Sequence, residues 1–335
     1  MKKKLIGIIS IGISAIIGMT SCSEKVEGPG IPDNTGIKSV TTYAPSGVTM
    51  TSADLRVGTT LTGYGAITKR GIFLIESGNP VLSDPKMGTE YIAEKSSTGN
   101  NDEEVFSVYL TDLKANTVYT YMAFACSESD TCYGSTKLLV TSFGTVTDAE
   151  DNEYQTVKIG NQIWMRENLK ATKYSDQESI PGCLDKGNEQ PYGKHYTFSA
   201  ATRIVPGSKS GPTQGVCPTG WHVPCDSEWQ ELLTYIGVPS DQAKSLGLIG
   251  DKQAAKLKDG GTDFWANEIL NNVTGFSIMP AGILNPLDGD ECIQTAFWSS
   301  TPYIYYGFQV NSEKILRGDD EPHCACGISV RCIKD

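Results

Sequence analysis

The chain has 335 residues, ten cysteines and a formal net charge of −11, with 39% hydrophobic and 20% charged residues. So acidic a chain repels nucleic acid and anionic lipid headgroups, which leaves cations, basic proteins and neutral glycans as partners. Its length is ordinary for about two domains.

The first residues, MKKKLIGIISIGISAIIGMTSC, set three lysines ahead of an apolar run from Leu5 to Ile17. That run is shorter than the roughly 20 residues a helix needs to cross a bilayer, so residues 1–21 read as an export signal. Met19-Thr20-Ser21-Cys22 resembles the lipobox of bacterial lipoproteins. The resemblance implies cleavage before Cys22 and lipidation there, an anchor that holds the chain to a membrane surface without crossing it. The expected location is the outer membrane, facing the cell surface. Residues 22–36, rich in Gly, Pro and charge, predict a flexible tether. Export also places the cysteines in a compartment where disulfides persist.

From residue 37 to 144 short β-rich runs alternate with turn clusters: TSADLRVGTTL, RGIFLIES, EEVFSVYLTDL, TVYTYMAFAC and STKLLVTSF. This spacing predicts an all-β sandwich. LTDLKANTVYTYMAFA resembles the tyrosine-corner region of fibronectin type III and related immunoglobulin-like modules, with Tyr119 as the corner residue and Leu113 as the core plug before it. The family often carries Pro where this chain has Ala115. Cys126 and Cys132 flank the polar turn SESDT, and a disulfide across a hairpin is expected between them.

Beyond Phe143 the pattern changes. TVTDAEDNEYQTVKIGNQIWMRENL predicts paired hairpins, turning at Asp151-Asn152 and Gly160-Asn161. Asp148, Glu150 and Asn152 are spaced like the start of a calcium loop, yet the Gly and Glu such a loop needs further on are missing. Helices are expected over Gly193 to Arg203, from Asp226 to a stop at Gly237, and more weakly over Asp251 to Lys258. Strand-like pieces follow around Phe276 to Pro280, Phe297 to Thr301, Gly307 to Val310 and Gly327 to Ile333. Helices followed by short strands predict an α+β domain over residues 145–335.

YQTVKIGNQIWMRENLKATKY, YGKHYTFSAAT, CPTGWHVPCDSEWQEL, GFSIMPAG, FWSST and GISVRCIKD occur in that order. Together they resemble the Fibrobacter succinogenes major paralogous domain. The resemblance implies a C-type-lectin-like fold and an exported or surface lipoprotein, and it supplies no defined activity. It also implies a disulfide between Cys217 and Cys332, closing a loop of over a hundred residues. In the chain-entropy model such a bridge stabilises the fold by up to roughly 5 kcal/mol. His222, between Trp221 and Pro224, is expected to hold a backbone group. Where the family usually shows Ser, this chain has Cys225, three residues before Glu228. Since a thiol caps a helix poorly, either Asp226 takes over the cap or Cys225 joins an extra disulfide, with Cys183 as a candidate partner; a free thiol there would be reactive.

The lectin-like fold is shared, by resemblance, with formylglycine-generating enzymes, whose cysteine pair binds copper. HCACGISVRC offers His323, Cys324, Cys326 and Cys332, but Cys326 and Cys332 are separated by five residues where the enzymes have four, and Cys332 already has a structural partner. The pairing of Cys183, Cys225, Cys292, Cys324 and Cys326 stays open. The sequence contains no G-x-S-x-G, H-E-x-x-H or phosphate-cradling glycine loop. No catalytic residue, metal or cofactor is therefore assigned. Binding remains the leading expectation, by a lectin-like head that takes a glycan or protein ligand, with a copper or thiol oxidase and a purely structural envelope protein as the alternatives. Trp265 in GGTDFWAN and Tyr303, Tyr305 and Tyr306 in TPYIYYGFQ are the candidate contact residues, since aromatic rings offer apolar faces to sugars and to proteins. The signatures of calcium-dependent sugar binding are missing from the long-loop region, and Arg317-Gly318-Asp319 is too short to argue integrin contact.

Overall fold

The computed structural model describes residues 36–62, 67–76, 89–92, 103–128, 131–184, 192–204, 213–259, 265, 272–284, 295–310, 312–319 and 327–335. Outside them lie residues 1–21, expected to be an export signal, Cys22, nearly all of the expected tether, Cys292, His323, Cys324 and Cys326. The chain is rich in β-structure, arranged in several antiparallel sheets. Among the described residues no helix is long and apolar enough to cross a membrane.

The first seven strands are β1 (Gly36–Thr42), β2 (Ala53–Thr62), β3 (Lys69–Glu76), β4 (Thr89–Ile92), β5 (Glu103–Leu110), β6 (Val118–Cys126) and β7 (Thr131–Val140). One sheet has the order β1-β2-β5 and a second the order β4-β3-β6-β7. Strand side chains alternate between faces. Leu55 and Val57 of β2, Val108 and Leu110 of β5, Ile72 and Leu74 of β3 and Tyr121 of β6 accordingly meet in one core. The Tyr119 hydroxyl accepts a hydrogen bond from Lys114 N at 2.8 Å, and Leu113 is buried in the same core, as the sequence led one to expect.

The bridge expected between Cys126 and Cys132 does not form. Register decides this: Cys126 lies opposite Thr131, and Cys132 lies opposite Ala125. Residues opposite one another share a face and sequence neighbours do not, so the two sulfurs are on opposite sides of the sheet. Cys132 is buried, and Cys126 is partly exposed.

β8 (Gly144–Thr147), β9 (Glu153–Ile159) and β10 (Gln162–Met165) follow as a meander. The turns fall where predicted, with Asp151 and Gly160 both at φ 61°, a left-handed conformation that Gly and Asp tolerate best. Asp148 accepts from Glu150 N, Asn152 N and the Tyr154 hydroxyl. Glu150 accepts from the backbone of Thr172 and Lys173. Both carboxylates therefore build turns.

A small hairpin, β11 (Cys183–Leu184) with β12 (His195–Tyr196), precedes α1 (Phe198–Thr202). The helix expected over Gly193 to Arg203 is thus shorter: β12 takes His195 and Tyr196, Thr197 Oγ1 caps by accepting from Ala200 N, and Arg203 ends it at φ 56°. Then come β13 (Trp221–His222), α2 (Asp226–Tyr235), β14 (Gly247–Ile249), β15 (Thr295–Trp298), β16 (Ile304–Phe308), β17 (Ile315–Asp319) and β18 (Ile333–Lys334). The third expected helix is a single 3₁₀ turn, Gln253–Lys256. No strand forms at Phe276 to Pro280, because Ser277 takes φ 54° and breaks the extended run.

Two sheets organise this half, one ordered β13-β18-β10-β9-β8 and the other β14-β17-β16-β15. The apolar face of α2 joins them. Trp229 stacks on Tyr306 of β16 at 4.9 Å between ring centroids and meets Trp164 of β10 at 5.0 Å. Leu232 and Leu233 fill the same core.

Candidate functional site

The connection between β1 and β2, residues 45–49, faces the segment following β10 across a cavity of 430 Å³. Its floor is polar. Arg331, 0% exposed, donates from Nε and Nη2 to Asn168 Oδ1 at 3.1 and 3.0 Å, from Nη2 to Ser277 O at 2.9 Å, and from Nη1 to Phe276 O. A buried guanidinium is tolerated only when its donors are satisfied, and here neutral oxygens satisfy four N–H groups. Asn168 is itself fixed by donating Nδ2 to Tyr192 O at 2.9 Å and to Ser329 Oγ at 3.2 Å. Ser277 is held in its left-handed turn by Asn272, whose Oδ1 accepts from Ser277 N at 3.0 Å.

Arg166 sits at the same wall, partly exposed. Its Nε donates to Ser277 Oγ at 3.2 Å and its Nη1 to Val140 O at 2.7 Å. The second bond ties the end of β7 to the segment after β10. A guanidinium has five donors, and Nη2 of Arg166 bonds to none of the described residues. Glu167 and Asp259 complete the charged lining. Burial lowers the Arg166 and Arg331 guanidiniums from the ordinary arginine range, while the carboxylates of Glu167 and Asp259 act against that shift. Arginine remains charged through such shifts. Gln155 Oε1, at the edge of the same cavity, is buried with no partner among the described residues.

His222 was expected to hold a backbone group and instead lies between two carboxylates. Nε2 is 2.8 Å from Glu228 Oε1 and Nδ1 is 2.6 Å from Asp335 Oδ1. The hydrogen bond to Glu228 raises the imidazole above its usual value, against burial and with help from Asp335. Burial pushes Glu228 up, but hydrogen bonds from His222 and Cys225 outweigh it, so the carboxyl lies below its usual value. Glu228 Oε2 also accepts from Cys225 N at 2.8 Å, one arm of a capping box at the start of α2. Cys225 is the N-cap and forms no disulfide with Cys183. Asp226 does not replace it, because its carboxylate accepts from Arg317 at 2.9 and 2.7 Å and from the Tyr306 hydroxyl at 2.6 Å. Arg317 of the Arg-Gly-Asp stretch is thereby a buried structural cation.

The aromatic residues expected to contact a ligand divide. Trp265 is 1% exposed, donates Nε1 to Ile278 O at 2.9 Å and belongs to the core; Tyr306 is 0% exposed beneath Trp229. Neither can meet a ligand, since each fills space between packed elements. Tyr303 and Tyr305 are partly buried, and Tyr305 lies so close to Gly318 that a Cβ there would come within 2.1 Å of its ring. The Cys217–Cys332 bridge is present, with Cα atoms 5.8 Å apart. Cys332 is thus unavailable as a copper-binding thiol.

Arg166, Asn168 and Arg331 were missed as site residues even though they stand inside the quoted motifs WMRENL and SVRC. The available signal was an arginine directly after a run of apolar residues, Trp164-Met165 before Arg166 and Val330 before Arg331, a placement that demands a polar partner.

No curated relative matches the chain. Among solved structures it is similar to the sensor domain of the anti-sigma factor RsgI4 from Pseudobacteroides cellulosolvens. The shorter form of that domain is 19% identical, with 31% of this chain and 93% of that chain covered at a TM-score of 0.24. The longer form is 20% identical, with 32% and 89% covered at a TM-score of 0.23. Likenesses this loose carry no argument about fold or function. The Fibrobacter succinogenes major domain matches residues 157–334, more than half of the 335. That stretch holds the Cys217–Cys332 bridge, and the chain belongs to the Fibrobacter succinogenes major domain family.

Proposed function

We propose that the chain is an exported, lipid-anchored envelope protein that recognises a glycan. In this reading residues 37–144 are an immunoglobulin-like sandwich that spaces the rest from the membrane, and residues 145–335 are a C-type-lectin-like head. The two facing sheets around one core and the hydrogen bond from Lys114 N to the Tyr119 hydroxyl support the first part. Family membership supports the second. The export signal and the lipobox-like Met19-Thr20-Ser21-Cys22 support the location.

One observation carries the recognition reading: the 430 Å³ cavity presents a guanidinium with uncommitted donors beside two carboxylates. A volume in this range suits a small ligand, and a few fixed polar groups give such a site its specificity. The groups elsewhere that could perform acid–base chemistry, His222 and Glu228 foremost, are engaged with one another. A glycan array probed with the soluble protein, Cys22 replaced by serine, tests the reading. Binding is expected, and Ser46→Trp, which puts an indole at an exposed position of the cavity lining, should abolish it. An array with no bound glycan, or binding indifferent to Ser46→Trp, refutes it. Labelling of intact cells tests the location.

A further inference from the structure

We infer that the cavity selects saccharides bearing a carboxylate, such as a hexuronate, and that Arg166 is the residue that reads that group. The inference rests on the glycan reading and names the ligand class. It begins from the contrast between two arginines lining one cavity. Arg331 is a closed structure: it is fully buried and four of its N–H groups are held by Asn168 and the carbonyls of residues 276 and 277. Arg166 is open. Two hydrogen bonds, to Ser277 Oγ and Val140 O, fix its plane, and Nη2 is left without an acceptor among the described residues. A guanidinium already oriented and partly desolvated favours a carboxylate over a hydroxyl, because a charge-assisted bond from Nη2 forms at little further cost in side-chain freedom.

The other charges in the cavity narrow the choice of anion. Glu167 and Asp259 line the same space. They oppose a doubly charged phosphate or sulfate more strongly than a singly charged carboxylate. Gln155 Oε1 offers an acceptor without a partner among the described residues. A ligand carrying one carboxylate and a nearby hydroxyl therefore meets the guanidinium with the first and Gln155 Oε1 with the second, which fits a uronic acid. The net charge of −11 does not exclude such a ligand, since repulsion from distant surface charges is screened over about 8 Å at physiological salt while the guanidinium acts in contact.

The test is calorimetric titration of the soluble protein with methyl glucuronoside and methyl galacturonoside, each compared with its neutral methyl ester. The uronosides should bind about 10- to 100-fold more tightly than the esters, the factor expected when hydrogen bonds to a charged group are lost. Arg166→Gln should bring acid and ester to equal affinity, with a circular dichroism spectrum like that of the parent. The ester comparison needs no variant, so the proposal stays testable even if Arg166→Gln fails to fold. Equal binding of acid and ester by the parent overturns the proposal and leaves neutral glycan recognition standing. Preference retained in Arg166→Gln, tighter binding of inorganic phosphate or sulfate, or binding of a free amino acid instead also overturns it. If no saccharide binds, acidic or neutral, both this proposal and the glycan reading fall.

Discussion

Replacing Cys217 and Cys332 together by alanine removes the one disulfide among the described residues and leaves neither of its thiols behind. The bridge joins residues 115 apart in sequence. Opening a loop of that length gives the denatured ensemble freedom worth about 5 kcal/mol at 25 °C in the chain-entropy account. Both residues are fully buried among Tyr154, Tyr196, Trp221 and Val330, so the lost sulfurs leave small voids that cost about 1 kcal/mol more. For a folding unit of 150–250 residues each kcal/mol moves the melting temperature by about 2–4 °C, which gives a fall of roughly 12–24 °C. Scanning calorimetry of parent and variant, each with and without dithiothreitol, measures it. Reductant should lower the parent by more than it lowers the variant. A fall smaller than about 3 °C, or a variant still as sensitive to reductant as the parent, would refute the reasoning that this loop closure carries much of the stability.

His222→Gln should remove a stabilisation that depends on pH. The folded imidazole is raised above its unfolded value, so its contribution is fully present below about pH 6.5 and is lost as pH rises through the folded value. Glu228 is lowered, so its share is lost as pH falls below about 4.3 towards the folded value. Urea unfolding should therefore show the largest difference between parent and variant near pH 5.5 and little difference at pH 9; a difference that grows with pH contradicts the assignment. Asp226→Ala should destabilise by about 3–5 kcal/mol, because it strands Arg317 in the interior. That loss is read as a lowered denaturant midpoint, and an unchanged midpoint rules out the pair as a structural element. Trp265→Ala should lower stability by about 3–5 kcal/mol as a core truncation, and Tyr306→Phe by about 1 kcal/mol; saccharide affinity measured below the unfolding transition should stay the same in both.

Patterns of period two and the turn residues made much of the architecture readable in advance. β6 and β7 were visible in TVYTYMAFAC and STKLLVTSF, and the Gly160-Asn161 turn in its flanking alternation. α2 was legible from Trp229, Leu232 and Leu233 at helical spacing. Register was not legible. Whether Cys132 faces Cys126 or Ala125 turns on a single-residue offset that composition cannot fix. The candidate site was hidden for a related reason. Trp265 and Tyr306 carry the residue types that ligand surfaces use, yet the same rings fill cores equally well, and only the packing of Trp229 on Tyr306 settles which. The cavity residues come from sequence positions as distant as 46 and 331, brought together by tertiary contacts that leave no local trace.

The second half has long connections and few regular elements, so its backbone must find partners outside ladders and helices. Buried polar side chains supply them. Asp226 gathers Arg317, Tyr306 and Gln230 at the start of α2. Arg331 gathers Asn168, Phe276 and Ser277 behind the cavity. Each center is closed, its groups turned on one another, because an unsatisfied polar atom in the interior costs about 1–3 kcal/mol. That cost gives a criterion for separating scaffold from recognition: an arginine whose Nε, Nη1 and Nη2 all bond to the protein is accounted for by folding, and one with a whole nitrogen left over is not. By that criterion Arg317 and Arg331 belong to the scaffold. Arg166 stands apart, anchored at two points yet open at Nη2 toward a cavity large enough to admit a ligand, and so it is the position where a substitution should alter binding more than it alters the fold.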